Sequence, residues 1–171
     1  MFCIGDKIVY GSMGVCTVVD VGVPDLPDAL HMCYTLKPDY VANSKVYAPI
    51  ENNPVSMRAL LSPKEAQSLI DSMPQIEPFP PGEEKQQLLN TYRSAIRSAD
   101  IFILARLLKT LHAKRQLLIQ QKKMLSSVEK EYFGAAEKMF FGELAATLKI
   151  AVDAVPDYIA ARIGSAEQVA S

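Results

Sequence analysis

Pro74-Gln-Ile-Glu-Pro-Phe-Pro-Pro-Gly82 holds four of the chain's eleven prolines and reads as a stiff linker between two unlike halves. Before it, β-branched and aromatic residues come in short runs punctuated by Gly, Pro, Asn and Asp. Lys7-Ile-Val-Tyr10, Val15-Cys-Thr-Val-Val-Asp-Val21, His31-Met-Cys-Tyr-Thr-Leu36, Ser44-Lys-Val-Tyr-Ala-Pro-Ile50 and Ser56-Met-Arg-Ala59 read as five strands. Gly11-Ser-Met-Gly14 supplies a turn and Pro24-Asp-Leu-Pro-Asp28 a loop. Five strands in so few residues predict a small, strongly bent barrel, because so small a sheet has no other way to bury a face. At Ser62-Pro63-Lys64-Glu65 the pattern changes. Ser62 can cap, Pro63 fits the first helical position and Glu65 can close a capping box. A helix over 63–73 then carries Ala66, Leu69, Ile70 and Met73 on one face until Pro74 stops it.

After the linker the period is helical. Leu88, Leu89, Tyr92 and Ile96 line a helix over 83–97. Asp100 can cap a second, in which Ile101, Leu104, Leu107, Leu108 and Leu111 recur at three- and four-residue steps. A third, over 127–148, has Phe133, Ala136, Phe140, Leu144 and Leu148 as its stripe. A last helix over 152–163 tolerates Pro156 in its first turn, and the tail beyond Gly164 is expected to fray. The expected architecture is α+β in two domains: residues 1–75, strands with a trailing helix; 76–82, the linker; 83–171, an all-α bundle.

The totals exclude several classes of function. Apolar residues make up 49% and charged residues 22% of 171, ordinary for a globular chain. Apolar runs such as 101–105 fall far short of the ~20 residues a bilayer span needs. The opening Met-Phe-Cys-Ile-Gly-Asp lacks the basic and apolar regions of a signal peptide. Three cysteines without CxxC spacing predict neither a disulfide framework nor a zinc site, so a cytoplasmic protein with reduced thiols is expected.

No catalytic or metal constellation is legible. The two histidines, His31 and His112, form no metal-binding spacing. Cys16 and Cys33 alternate with apolar neighbours as core residues do, and Cys3 stands alone. Gly11-Ser-Met-Gly14 lacks the Lys-Ser/Thr of a phosphate loop, and no GxSxG elbow occurs. Glu129, Glu131 and Glu137 read as a solvated helix face. No cofactor and no enzymatic activity are expected; an unrecognised enzyme would need a polar pocket with converging titratable groups.

Charge is distributed unevenly. Residues 1–82 carry five Lys/Arg against nine Asp/Glu, and residues 83–164 carry thirteen against nine. An acidic half followed by a basic half predicts two surfaces with different partners. Between Ile101 and Val128 lie Arg106, Lys109, Lys114, Arg115, Lys122 and Lys123 with no acid, and Arg93 and Arg97 stand upstream. Such a cluster fits phosphate contacts, which set affinity but carry little sequence information. It equally fits a solvated helix face whose C-terminal cations complement the macrodipole.

The order of these features resembles the CarD family. Ile4-Gly-Asp-Lys-Ile-Val-Tyr-Gly-Ser-Met-Gly-Val15 is similar to the GD-x-VVY-x-x-x-GV opening of CarD proteins, shared with the polymerase-interacting domain of transcription-repair coupling factors. Lys45-Val-Tyr-Ala-Pro-Ile50 resembles the VxVP strand, and Met57-Arg58 falls at the G-(V/L/M)-R segment. Tyr92 through Ser98-Ala-Asp100 resembles RY…L-x-SGD, followed by the V-x-x-L-x-x-R helix, here 107–115. Ala136-Glu137 and Gly142-Glu-Leu-Ala145 resemble the A…L…ELA helix.

The resemblance implies an SH3/Tudor-like N-terminal module docking on the RNA polymerase β subunit. It also implies a helical domain at the upstream edge of the promoter melting bubble, where binding stabilises the open complex. A small barrel with an exposed edge can accept a partner strand through backbone hydrogen bonds. Lys45, Val46 and Tyr47 are the expected recognition strand, although an ordinary barrel strand reads the same way. The family's minor-groove Trp is absent, since the chain has no Trp, and Lys85 falls near its place, beside Gln87, Leu88 and Asn90. Lys cannot unstack a base step as an apolar wedge does. DNA contact is therefore expected from Lys85, Arg93, Arg97, Arg106, Lys109, Lys114, Arg115, Lys122 and Lys123. A polymerase-binding adaptor whose helical domain holds another protein is the alternative.

Overall fold

The computed structural model describes residues 1–82 and 84–170, with side chains through Gly164. Among these residues five strands, β1 (Lys7–Tyr10), β2 (Val15–Gly22), β3 (Cys33–Pro38), β4 (Val46–Pro49) and β5 (Met57–Ala59), precede five α-helices. These are α1 (Pro63–Ser72), α2 (Lys85–Ser98), α3 (Ile101–Gln120), α4 (Ser127–Leu148) and α5 (Val155–Ala170). The fold is α+β, as the sequence predicts. Glu83 and Ser171, the end residues of the expected helical domain, lie outside the described residues.

All strand pairings are antiparallel, in the order β4-β3-β2-β1-β5. The expected barrel is here an open sheet: among the described residues no ladder joins β4 to β5. Ile8 and Tyr10, Cys16 and Val18, Tyr34 and Leu36, and Ala48 alternate onto one face and form a small core. A register irregularity between Val18 and Asp20 bends β2. Gly11 and Gly14 take positive φ in the turn after β1, and at Gly11 a Cβ would meet Val55 at 2.5 Å.

Helices α1, α3 and α4 start where the sequence says they should, whereas α2 begins at Lys85 and α5 at Val155, after the expected 83 and 152. Ser62 and Glu65 close a capping box on α1, with Pro63 in its first turn. The Asp100 side chain accepts from the N–H groups of Phe102 and Ile103 at the start of α3. A second capping box, Ser126 with Glu129, opens α4. Helix α5 continues through Ala170, so the tail expected to fray beyond Gly164 is helical.

The domain boundary read from the sequence leaves α1 with the strands, but the packing puts it with the helices. Ala66, Leu69 and Ile70 join Tyr92, Leu104, Leu107, Leu111, Phe140 and Leu144 in one core. Asp71 forms a bidentate ion pair with Arg162 of α5, and the Arg162 guanidinium holds its carboxyl below the ordinary range. An amphipathic helix buries its stripe against the largest apolar surface within reach, and the small strand core offers less of it. The proline stretch is likewise not a free linker. The Thr110 hydroxyl accepts from the Phe79 N–H, fastening the strap to α3.

Candidate functional site

Strand β4 forms one open edge of the sheet. The Ile50 N–H donates to the Met32 carbonyl at 3.0 Å, and Ala48 faces Tyr34 in the same register. In an antiparallel ladder, alternate residues direct their backbone groups to the same side. Ala48 and Ile50 therefore point at β3, whereas Tyr47 presents its N–H and C=O to the open edge. Pro49 sits at the next outward position, the one place in a sheet where a missing donor costs nothing. Of the expected recognition residues, Lys45 and Tyr47 are exposed and Val46 is half-buried against the strand core.

The expected DNA-facing cations divide into two groups. Arg106 donates to the Glu77 carbonyl and stacks on Phe79 at 4.5 Å. Lys109 donates to the carbonyls of Met73 and Pro74. Both hold the proline strap. Lys114 pairs with Glu129, and Arg115 stacks on Phe133 at 4.7 Å beside His112. Burial alone would raise the Glu129 carboxyl, but the Lys114 ammonium and the Ser126 backbone hold it below the usual range. These four charges join α3 to its neighbours.

Lys85, Arg93, Arg97, Lys122 and Lys123 are exposed and form no ion pair among the described residues. Helical geometry sets Gln86, Asn90, Arg93 and Arg97 in one stripe of α2, a helix with no acid. Lys85 falls instead in line with Leu89, Tyr92 and Ile96, on the packed side. Lys122 and Lys123 lie at the tip of the α3–α4 hairpin, beside exposed Leu117, Ile119, Met124 and Val128.

Sheet and helices meet at a clamp that the charge pattern did not reveal. Arg58 of β5 donates through Nη1 and Nη2 to the two Glu143 carboxylate oxygens at 2.6 and 2.7 Å. Its Nε and Nη2 also donate to the Ala99 carbonyl at 2.9 and 2.7 Å. Glu143 further accepts from the Leu61 N–H. The Tyr40 hydroxyl donates to the Gly142 carbonyl at 2.9 Å, with its ring where a Cβ on residue 142 would lie. Met57-Arg58, Ser98-Ala-Asp100 and Gly142–Ala145, three segments far apart in sequence, thus converge on one guanidinium.

Ala99 adopts φ +54, the left-handed conformation. A Cβ there costs roughly 1–2 kcal/mol, which gives a reason for glycine in the Ser-Gly-Asp pattern the segment resembles. Ala99→Gly is expected to stabilise the protein by about 1 kcal/mol in urea unfolding. A loss of stability would show that the left-handed turn is not strained.

Two of the three thiols, Cys16 and Cys33, behave as core residues. Burial, assisted by the Asp39 charge, pushes the Cys16 pKa to about 11. Cys33 is also buried and Cys3 is exposed.

The result is a curved antiparallel sheet with one edge, β5, held to the helices and the other, β4, open. Residues 2–61, which hold the whole sheet, match the CarD-like/TRCF RID domain, an RNA polymerase-interacting domain. No curated protein matches the chain.

Proposed function

We propose that this protein is a non-enzymatic bacterial regulator of transcription initiation, acting in the cytoplasm. Its N-terminal unit pairs with a strand of the RNA polymerase β subunit along the Lys45–Tyr47 edge. Its helical unit contacts promoter DNA near the melting bubble through the Arg93–Arg97 stripe of α2 and modulates open-complex stability. The observation carrying this reading is the open β4 edge, with the Tyr47 backbone turned outward, inside a polymerase-interacting domain.

The DNA contact has its own test. Arg93→Glu with Arg97→Glu is expected to weaken binding to forked promoter DNA about tenfold or more. The slope of log affinity against log salt should fall by about 2. Polymerase binding should be unchanged. Wild-type affinity that stays flat between low and moderate salt would end the DNA reading. The adaptor reading, in which the helical unit holds another protein, would then stand. The exposed apolar residues at the α3–α4 tip favour that second reading.

A further inference from the structure

The ladder a partner strand can form on β4 stops at a defined place. At Tyr47 the edge offers a donor and an acceptor. At Pro49, the next outward position, it offers only an acceptor. Where the hydrogen bonding fails, a hollow of about 680 Å³ begins, with an apolar wall of Val21, Leu30, Met32, Pro49 and Ile50 and a polar rim that includes His31, Glu51 and Asn52. Leu30 is 82% exposed and Met32 50%. They flank His31 at the end of a loop that contains Pro24 and Pro27 and two turn bonds, Leu26 N–H to the Pro24 carbonyl and Ala29 N–H to the Leu26 carbonyl. The hollow is thus largely formed before any partner arrives, and ordering it costs little on binding.

We propose that this hollow is the anchor socket for one large apolar side chain of the polymerase strand that pairs with β4. The inference rests on the edge-pairing reading above and adds what that pairing lacks. Backbone bonds supply affinity for any extended chain, and a side-chain pocket beside them supplies selection. The occupant is an extended segment carrying Leu, Ile, Met or Phe just past its last residue bonded to the Tyr47 backbone. Covering Leu30 and Met32 removes apolar surface from water, and the side chain that covers them leaves water too.

The test measures binding of the full-length protein to purified RNA polymerase. Leu30→Asp with Met32→Asp is expected to weaken binding about tenfold or more. Leu30→Met, which refills the socket, should stay close to wild type. Leu117→Asp, an equally disruptive change at the distant hairpin tip, should have no effect. Leu30→Ala, at so exposed a position, serves as the variant whose fold is not in question, and it should lose affinity in the same direction. Wild-type binding by Leu30→Asp/Met32→Asp, or an equal loss with Leu117→Asp, would overturn the socket and leave edge pairing intact. Failure of the wild-type protein to bind polymerase would overturn the underlying reading, and the socket with it.

Discussion

Arg58→Ala is expected to destabilise the protein by about 3–5 kcal/mol, the range for removing one partner of a buried ion pair. The Glu143 side chain is 2% exposed, so its carboxylate would stay dehydrated with only the Leu61 N–H beside it. The Ala99 carbonyl would lose two donors in the same step. Arg58→Lys keeps the charge but cannot reach Ala99 and both carboxylate oxygens together, so an intermediate loss is expected. Arg58→Met combined with Glu143→Leu should cost much less than Arg58→Ala, because no charge is left buried. Urea unfolding of the four proteins decides the matter. A loss under about 1 kcal/mol for Arg58→Ala would mean that water reaches Glu143 and that the clamp is not dry.

This clamp bears on function as well as on stability. A factor that bridges two partners transmits force between them only if its two surfaces hold a fixed relation. Arg58 lies at the opposite end of the sheet from β4. The contact that anchors the sheet to the helices therefore leaves the β4 edge unobstructed.

Tyr47→Pro is expected to reduce polymerase affinity on the order of a hundredfold while changing thermal stability little. The Tyr47 N–H faces away from β3, so no bond within the protein is lost. A partner strand would lose a donor and meet the pyrrolidine ring in its place. Tyr47→Ala separates the two contributions, since it keeps the backbone donor and removes only the side chain. It should bind far better than Tyr47→Pro. Equal affinity of Tyr47→Pro and wild type would refute strand pairing at this edge.

Several features were legible because they depend on neighbours in the chain. The Ser62–Glu65 box and the Asp100 cap involve residues two or three positions apart. The strand and helix periods were equally plain, but Glu129, read as part of a solvated helix face, is buried in a capping box with Ser126 and an ion pair with Lys114. The fate of the cations was not legible. Arg106 and Lys109 are held by carbonyls at 73, 74 and 77, roughly thirty residues back, and no local pattern distinguishes such a cation from one facing solvent. Arg93 and Arg97 looked secondary to the 106–123 cluster, yet they remain exposed while four of that cluster are occupied within the fold.

By itself, then, the sequence determined the elements, their caps, the α+β class and the resemblance of its first sixty residues to a polymerase-interacting domain. These follow from short-range sterics, capping bonds and hydrophobic period, which act within a few residues. Only the tertiary structure decided that α1 belongs to the helical core and that the proline stretch is a fastened strap. It also decided which sheet edge stays open and which charges remain available to a partner. Those outcomes depend on which surfaces meet when apolar faces are buried, and burial joins residues such as Arg58 and Glu143 that lie 85 positions apart.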